Sequence, residues 1–297
     1  MMKRFATLLR REWMQHGRSW VILLALPWVA IMSLGLFAGF QIEMDGEQPT
    51  AMVGTLMLTM AVTMLTLALA CGAALLMAPG LARRDVQDRS IEFWVSLPSS
   101  HVQSLSATLL MHLMALPVAA VVVGMIGGIV ATPLLAVQHW GLGAWAGLPW
   151  GQLLAAFIGM ALRLSFGIVL AVLWLSPLIL GTMAASAWLK RWGVPAVVGG
   201  LVAGDALLQK FYGITAVGDA VRTLLMQAVR AVVATADKGR ELNSVNEIEA
   251  FVPTLPGWLL QDAAAAVVAL ASPAFMAALA GGALMFGLLV LRRYRAT

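Results

Sequence analysis

Three ionisable side chains stand inside otherwise apolar runs of this chain: Arg163, Asp205 and His112. In hydrocarbon such groups are costly, and where they occur they face a bundle interior or a wet path, paired with one another or with backbone carbonyls. The chemistry open to them is ion pairing, proton relay or contact with a charged part of a solute. Counted at about 1.5 Å per residue from Lys190 and Arg191, Asp205 lies about 20 Å along its helix and Arg163 about 40 Å along the preceding one. Arg163 is then close enough to the far headgroups to snorkel into them, whereas Asp205 needs a partner or a water-filled cavity. Of His16, His101, His112 and His139, only His112 lies within a span, and hydrogen-bonded packing accounts for it more simply than ligation does.

Enzyme and nucleotide motifs are missing. There is no GxxxxGK[ST] string, so the chain has no P-loop, and no GxSxG, HExxH or strand-to-helix GxGxxG occurs. Cys71 is the single cysteine and sits in an apolar run, which rules out a disulfide framework or a CxxC pair. Met57, Met60 and Met64 share a helical face, but with 18 methionines in so apolar a chain, packing or lipid contact explains them. No metal, cofactor or catalytic site is legible, and any energy source must be borrowed from a partner.

The other segment able to do something specific is RRDVQDRSIEFWVSLPSS, residues 83–100, the only well-charged stretch between two runs each long enough to cross a bilayer. Its charged first part gives way to Ile91, Phe93, Trp94, Val95 and Leu97 before Pro98. That pattern predicts a short amphipathic helix at the membrane surface, stopped by Pro98, with Ser99 or Ser100 capping the helix that follows. Such an elbow suits docking to a cytosolic partner. A solvated loop whose charges merely keep it out of lipid is the plainer alternative.

The elements that must position these groups follow from composition. With 61% hydrophobic and 11% charged residues, the chain is a polytopic, all-α membrane protein. Residues 1–19 carry Phe5, Leu8, Leu9 and Trp13 opposite a basic face, an interfacial helix on an anionic leaflet. Spans are expected at 20–40, 51–82, 102–137, 151–189, 194–210 and 263–291, with Pro117 and Pro177 as kinks. Residues 211–258 read as an extracytoplasmic cap or re-entrant element, holding an amphipathic helix along Val217, Val221, Leu224, Leu225, Ala228 and Val232. Of the 19 basic residues, 13 fall in the amino terminus, the elbow, the turn at Lys190 and Arg191, and the carboxyl terminus. The positive-inside rule therefore puts both termini in the cytosol. The net charge of +5 reports orientation, not nucleic-acid affinity.

At the elbow the order of a charged run, then Ser90, Ile91, Glu92, a hydrophobic run and Leu97, Pro98, Ser99, Ser100 resembles the cytoplasmic element of type-2 ABC exporter permeases, where a Gly-Thr-Leu-Glu-like string leads into Leu-Pro-x-Ser. Arg89 stands where glycine is common, and Ala107 with Thr108 where a Gly-Lys pair often opens the third span. The resemblance extends to the layout: an amino-terminal interfacial helix, six spans with both ends inside, a coupling helix between the second and third, and an outer re-entrant element before the sixth. It implies a permease subunit in a bacterial inner membrane, paired with an identical or related second permease chain and with two copies of a separate ATPase that binds ATP and Mg. The coupling residues would be Arg84, Asp88, Arg89, Ser90, Ile91, Glu92, Phe93, Trp94, Leu97 and Pro98. A mechanotransmitting permease that passes work to an extracytoplasmic partner, or a polytopic membrane enzyme using Asp205, Arg163 and His112, are the alternatives.

Overall fold

The computed structural model describes residues 2–38, 49–82, 100–233 and 244–295. The elbow residues Arg84, Asp88, Arg89, Ser90, Ile91, Glu92, Phe93, Trp94, Leu97 and Pro98 lie outside the described residues. Among the described residues every regular element is helical. Six stretches are long and apolar enough to cross a membrane, which makes the chain an integral membrane protein.

Helix α1 (Met2–Ala38) is one continuous helix, so the expected surface segment 1–19 and span 20–40 share a single axis. Nothing between Ser19 and Trp20 breaks a helix, and Pro27, well inside it, interrupts one hydrogen bond without ending it. Helix α2 (Ala51–Leu81) is capped by Thr50, whose Oγ1 accepts from the Val53 N–H at 3.4 Å. Helix α3 (His101–Leu109) is capped by Ser100, whose hydroxyl accepts from Gln103 N–H at 3.2 Å; of the two serines offered after Pro98 it is the second that caps. A π-helical turn, Leu110–Ala115, joins α3 to α4 (Leu116–His139). Pro117 lacks an N–H for the usual ladder, and the N–H of Leu116 reaches five residues back to the Met111 carbonyl.

After the short α5 (Leu142–Ala146), α6 (Trp150–Leu189) runs 40 residues, about 60 Å, and forms the spine of the second half. A 3₁₀ turn at Lys190–Trp192 reverses the chain into α7 (Gly193–Tyr212). Helix α8 (Ala216–Val232) follows, then α9 (Val245–Phe251), α10 (Leu255–Ala269) and α11 (Pro273–Tyr294). The run expected as one span, 263–291, is thus divided. Ser272 caps α11 by accepting from Phe275 N–H at 3.3 Å, and Pro273 at the first helical position forbids continuation from α10.

Two packing regions organise the bundle. In the first, α2 and α4 meet so closely that a Cβ on Gly124 would stand 2.7 Å from Thr63 Cα and one on Gly128 2.6 Å from Thr59 Cα. This is a small-xxx-small seam against a threonine-bearing helix. Trp20 and Leu24 of α1 cover it beside Ala70, Leu116 and Ala120. In the second, α6 gathers the later helices: Leu153, Phe157 and Leu164 bury Phe251, Val252, Leu255 and Leu259, while Leu170 and Trp174 pack on Ala228, Ala231, Phe275 and Ala278. Helix α8 therefore lies along α6, inside the second packing region. An amphipathic stripe has the same sequence signature on a lipid surface as on a neighbouring helix, so the pattern of 211–258 could not place it.

Candidate functional site

The site grows from what an amphipathic helix needs at its ends. Helix α8 leaves unpaired N–H groups at its start and carbonyls at its end, and its dipole is positive at the start and negative at the end. Thr215, at the cap position, donates its hydroxyl to Asp219 Oδ2 at 2.8 Å and caps no backbone N–H. Asp205, on α7, supplies the cap across the hairpin: its Oδ1 accepts from Gly218 N–H at 2.8 Å. A side chain on Gly218 would strike that carboxylate, since its Cβ would sit 2.8 Å from Asp205 Oδ2. Asp205 thus has the partner the sequence demanded, and the partner is a helix start.

At the other end the Ala231 carbonyl accepts from Arg163 Nη1 at 2.7 Å. Gly167, one turn along α6, makes room for it, because a Cβ there would lie 2.2 Å from the Ala231 oxygen. Arg163 also donates from Nε to Asp262 Oδ2 at 2.7 Å, and Nη2 approaches the same oxygen at 2.6 Å. Both residues are buried, Arg163 at 5% and Asp262 at 3% exposure. Arg163 therefore does not snorkel: its guanidinium turns inward and joins α6, the end of α8 and α10. A carboxylate and a carbonyl at the negative end of a helix supply charge-assisted acceptors inside the bundle.

A cavity of about 260 Å³ opens beside this joint, polar on Arg163, Asp262, Gln227 and Arg230 and apolar on Leu170 and Trp174. On the opposite flank of α8 a second cavity, about 320 Å³, is lined by apolar side chains of α2, α6 and α8, among them Leu75, Ile168, Leu225 and Val229, with Leu113 and Pro117. The helix separates a partly polar chamber from an apolar one. The partly polar chamber can hold water or an acceptor-rich group facing Arg230, which is exposed.

His112 is placed elsewhere. The π-helical turn aims it at α1, where it is fully buried, its Nδ1 3.0 Å from the Thr108 carbonyl and its ring edge-on to Trp20 and His16. Among the described residues Arg163, Asp205 and His112 thus belong to three separate sets of contacts; the first two hold opposite ends of α8, and His112 faces α1. The residues missed in the sequence are Asp262, which falls one position before the expected span at 263, and Glu12, on the segment expected to lie at the surface. Comparisons with protein-family models, with curated proteins and with solved structures give no match.

Proposed function

We propose that this chain is the permease subunit of an ATP-driven ABC exporter, forming the path and coupling to a separate ATPase through residues 83–100. The observation that supports it is the sequence of that stretch, a charged run passing through Ser90, Ile91, Glu92 and Phe93 to Leu97 and Pro98, placed between α2 and α3. Helix α2 and the α3–α4 rod leave the two ends of the stretch, and the close α2–α4 seam lets them move as one body. Displacement of the stretch by a nucleotide-driven partner would then be carried along the seam toward α6 and its cavity. ATP and Mg belong to the partner ATPase, present in two copies, and a second permease chain completes the path. A mechanotransmitting permease is the second reading, favoured by the close α2–α4 seam, which suits a stiff lever.

The test is co-purification of the chain with an ABC ATPase encoded beside it. Phe93→Ala and Glu92→Arg are each expected to weaken recovery of the ATPase, or to uncouple hydrolysis from transport, at unchanged amounts of permease. A docking anchor truncated in this way costs on the order of 1–4 kcal/mol, and a reversed rim charge less. Glu47→Arg is the matched control and should do neither. Assembly and coupling that survive both elbow substitutions together would remove the reading.

A further inference from the structure

The first packing region carries a cluster of ligating side chains that the proposed transport function does not use. Glu12 and His16 stand one turn apart on α1, so their side chains leave the same face. His112 comes from the π-helical turn between α3 and α4, a local geometry that often marks functional positions. One ligating atom from each of the three residues lies within 4.8 Å of the others. Glu12 and His112 are fully buried, and His16 is half-buried at the rim.

We propose that Glu12, His16 and His112 bind one divalent transition-metal ion, with zinc the best match. Two imidazoles and a carboxylate are a donor set used by zinc and, with open positions, by iron(II). Zinc, which imposes no geometric preference of its own and needs no redox partner, fits the buried cluster best. Bonds of about 2.0–2.2 Å put tetrahedral ligand atoms about 3.3 Å apart, so modest side-chain rotation closes the three on one ion. The surroundings already orient the ligands. The contact between His112 Nδ1 and the Thr108 carbonyl at 3.0 Å is the outer hydrogen bond that fixes a ring for ligation through its other nitrogen. Thr108 also donates its hydroxyl to Glu12 Oε1 at 3.0 Å, and Arg11 donates to the same oxygen. The second carboxylate oxygen, Oε2, lies 4.0 Å from His112 Nδ1, the nitrogen turned to Thr108, so closing on an ion held by the other ring nitrogen requires the Glu12 carboxylate to rotate toward it. Arg11 lies at the rim with 12% exposure, and a zinc site tolerates a net positive charge, since neutral imidazoles alone suffice as protein ligands in some. Trp20 closes the cluster, its ring centroid 5.1 Å from His112 and 5.9 Å from His16. The ion would fasten α1 to the rod formed by α3 and α4, about three turns beyond the start of α3. The inference stands apart from the exporter reading, because it concerns binding alone.

The experiment uses the full chain, purified without a polyhistidine tag, stripped with chelator, and titrated with zinc or with cobalt as a spectroscopic substitute. One zinc per chain retained after desalting, a chelator-reversible rise in unfolding temperature and a tetrahedral cobalt spectrum are expected. His16→Gln and His112→Gln should each weaken binding by at least about 10- to 100-fold, the loss that even an outer-shell partner causes. Thr108→Val should fall in that range, and His139→Gln should bind as the parent does. If His112→Gln fails to accumulate, His16→Gln decides, because that side chain sits at the rim. Absence of stoichiometric zinc in the parent protein, or zinc retained unchanged by His16→Gln, overturns the site.

Discussion

The α2–α4 seam and the α6–α8–α10 joint bury helices against one another by opposite means. Across the seam, glycines of α4 meet the backbone of α2, and two threonine hydroxyls of α2 turn back on their own helix: Thr63 donates to the Thr59 carbonyl and Thr66 to that of Val62, each at 2.7 Å. No charge is needed, and closeness of backbones does the holding. At the joint a single guanidinium serves three helices, and a cavity remains open beside it. The seam should therefore fail when volume is added, and the joint when a partner is removed. A seam of that kind is stiff; a joint built on two charges and a helix end can change partners.

The sharpest way to break this contrast is Asp262→Ala. It leaves Arg163 buried with only the Ala231 carbonyl among the bonds described above, and a buried pair that loses one partner costs about 3–5 kcal/mol. A thiol-reactive dye reading Cys71, the single cysteine and half-buried, reports unfolding directly. The double variant Arg163→Met with Asp262→Leu should recover most of the loss, since replacing both charges by apolar groups of similar volume is often neutral. A double variant as unstable as Asp262→Ala would show that the joint depends on shape and not on charge pairing.

On the seam, Gly128→Val is expected to cost about 1–3 kcal/mol by forcing the helices apart, and Gly124→Val a similar amount. Gly72 on α2 is the control, because nothing lies within 4 Å of a Cβ built there; Gly72→Val should stay within about 0.5 kcal/mol. Equal losses at Gly128 and Gly72 would mean that close contact across the seam does not set the cost.

How much of this was legible beforehand depends on the range of each interaction. The helical class and the number of crossing stretches follow from local apolar runs, and a serine cap for α3 follows from the Ser99-Ser100 pair after Pro98, though not which of the two. The break before α11 was also written locally, in Ser272 followed by Pro273, but a long apolar run concealed it. Arg163 and Asp205 were visible as charges in apolar surroundings, yet the direction in which Arg163 turns was set by Asp262, 99 residues away. Asp262 itself looked like an ordinary residue before a span. Glu12 belonged to a segment expected to lie at the surface, and its neighbours Thr108 and His112 come from another helix. Stripe and charge reveal that a group needs a partner; only the packing of distant helices names it.

The smallest effect belongs to Asp205, and it separates a cap from a transport residue. Asp205→Ala removes the acceptor of the Gly218 N–H and the negative charge at the start of α8, so a loss of about 0.5–2 kcal/mol is expected, as for other helix caps. Asp205→Asn keeps an oxygen for that bond and loses only the charge, so about 0.3–1 kcal/mol should suffice. Asp219→Ala, which removes a first-turn charge and an acceptor of the Thr215 hydroxyl but no backbone cap, is expected to fall below Asp205→Ala. If the exporter reading holds, transport or substrate-stimulated ATPase activity should fall in the same order, because a frayed α8 loosens the wall shared by the polar and apolar cavities. Activity lost in Asp205→Asn at near-parent stability would give the carboxylate a role beyond capping. Full activity and stability in Asp205→Ala would leave α8 held by Arg163 alone, and the helix would be anchored at one end where the geometry argues for two.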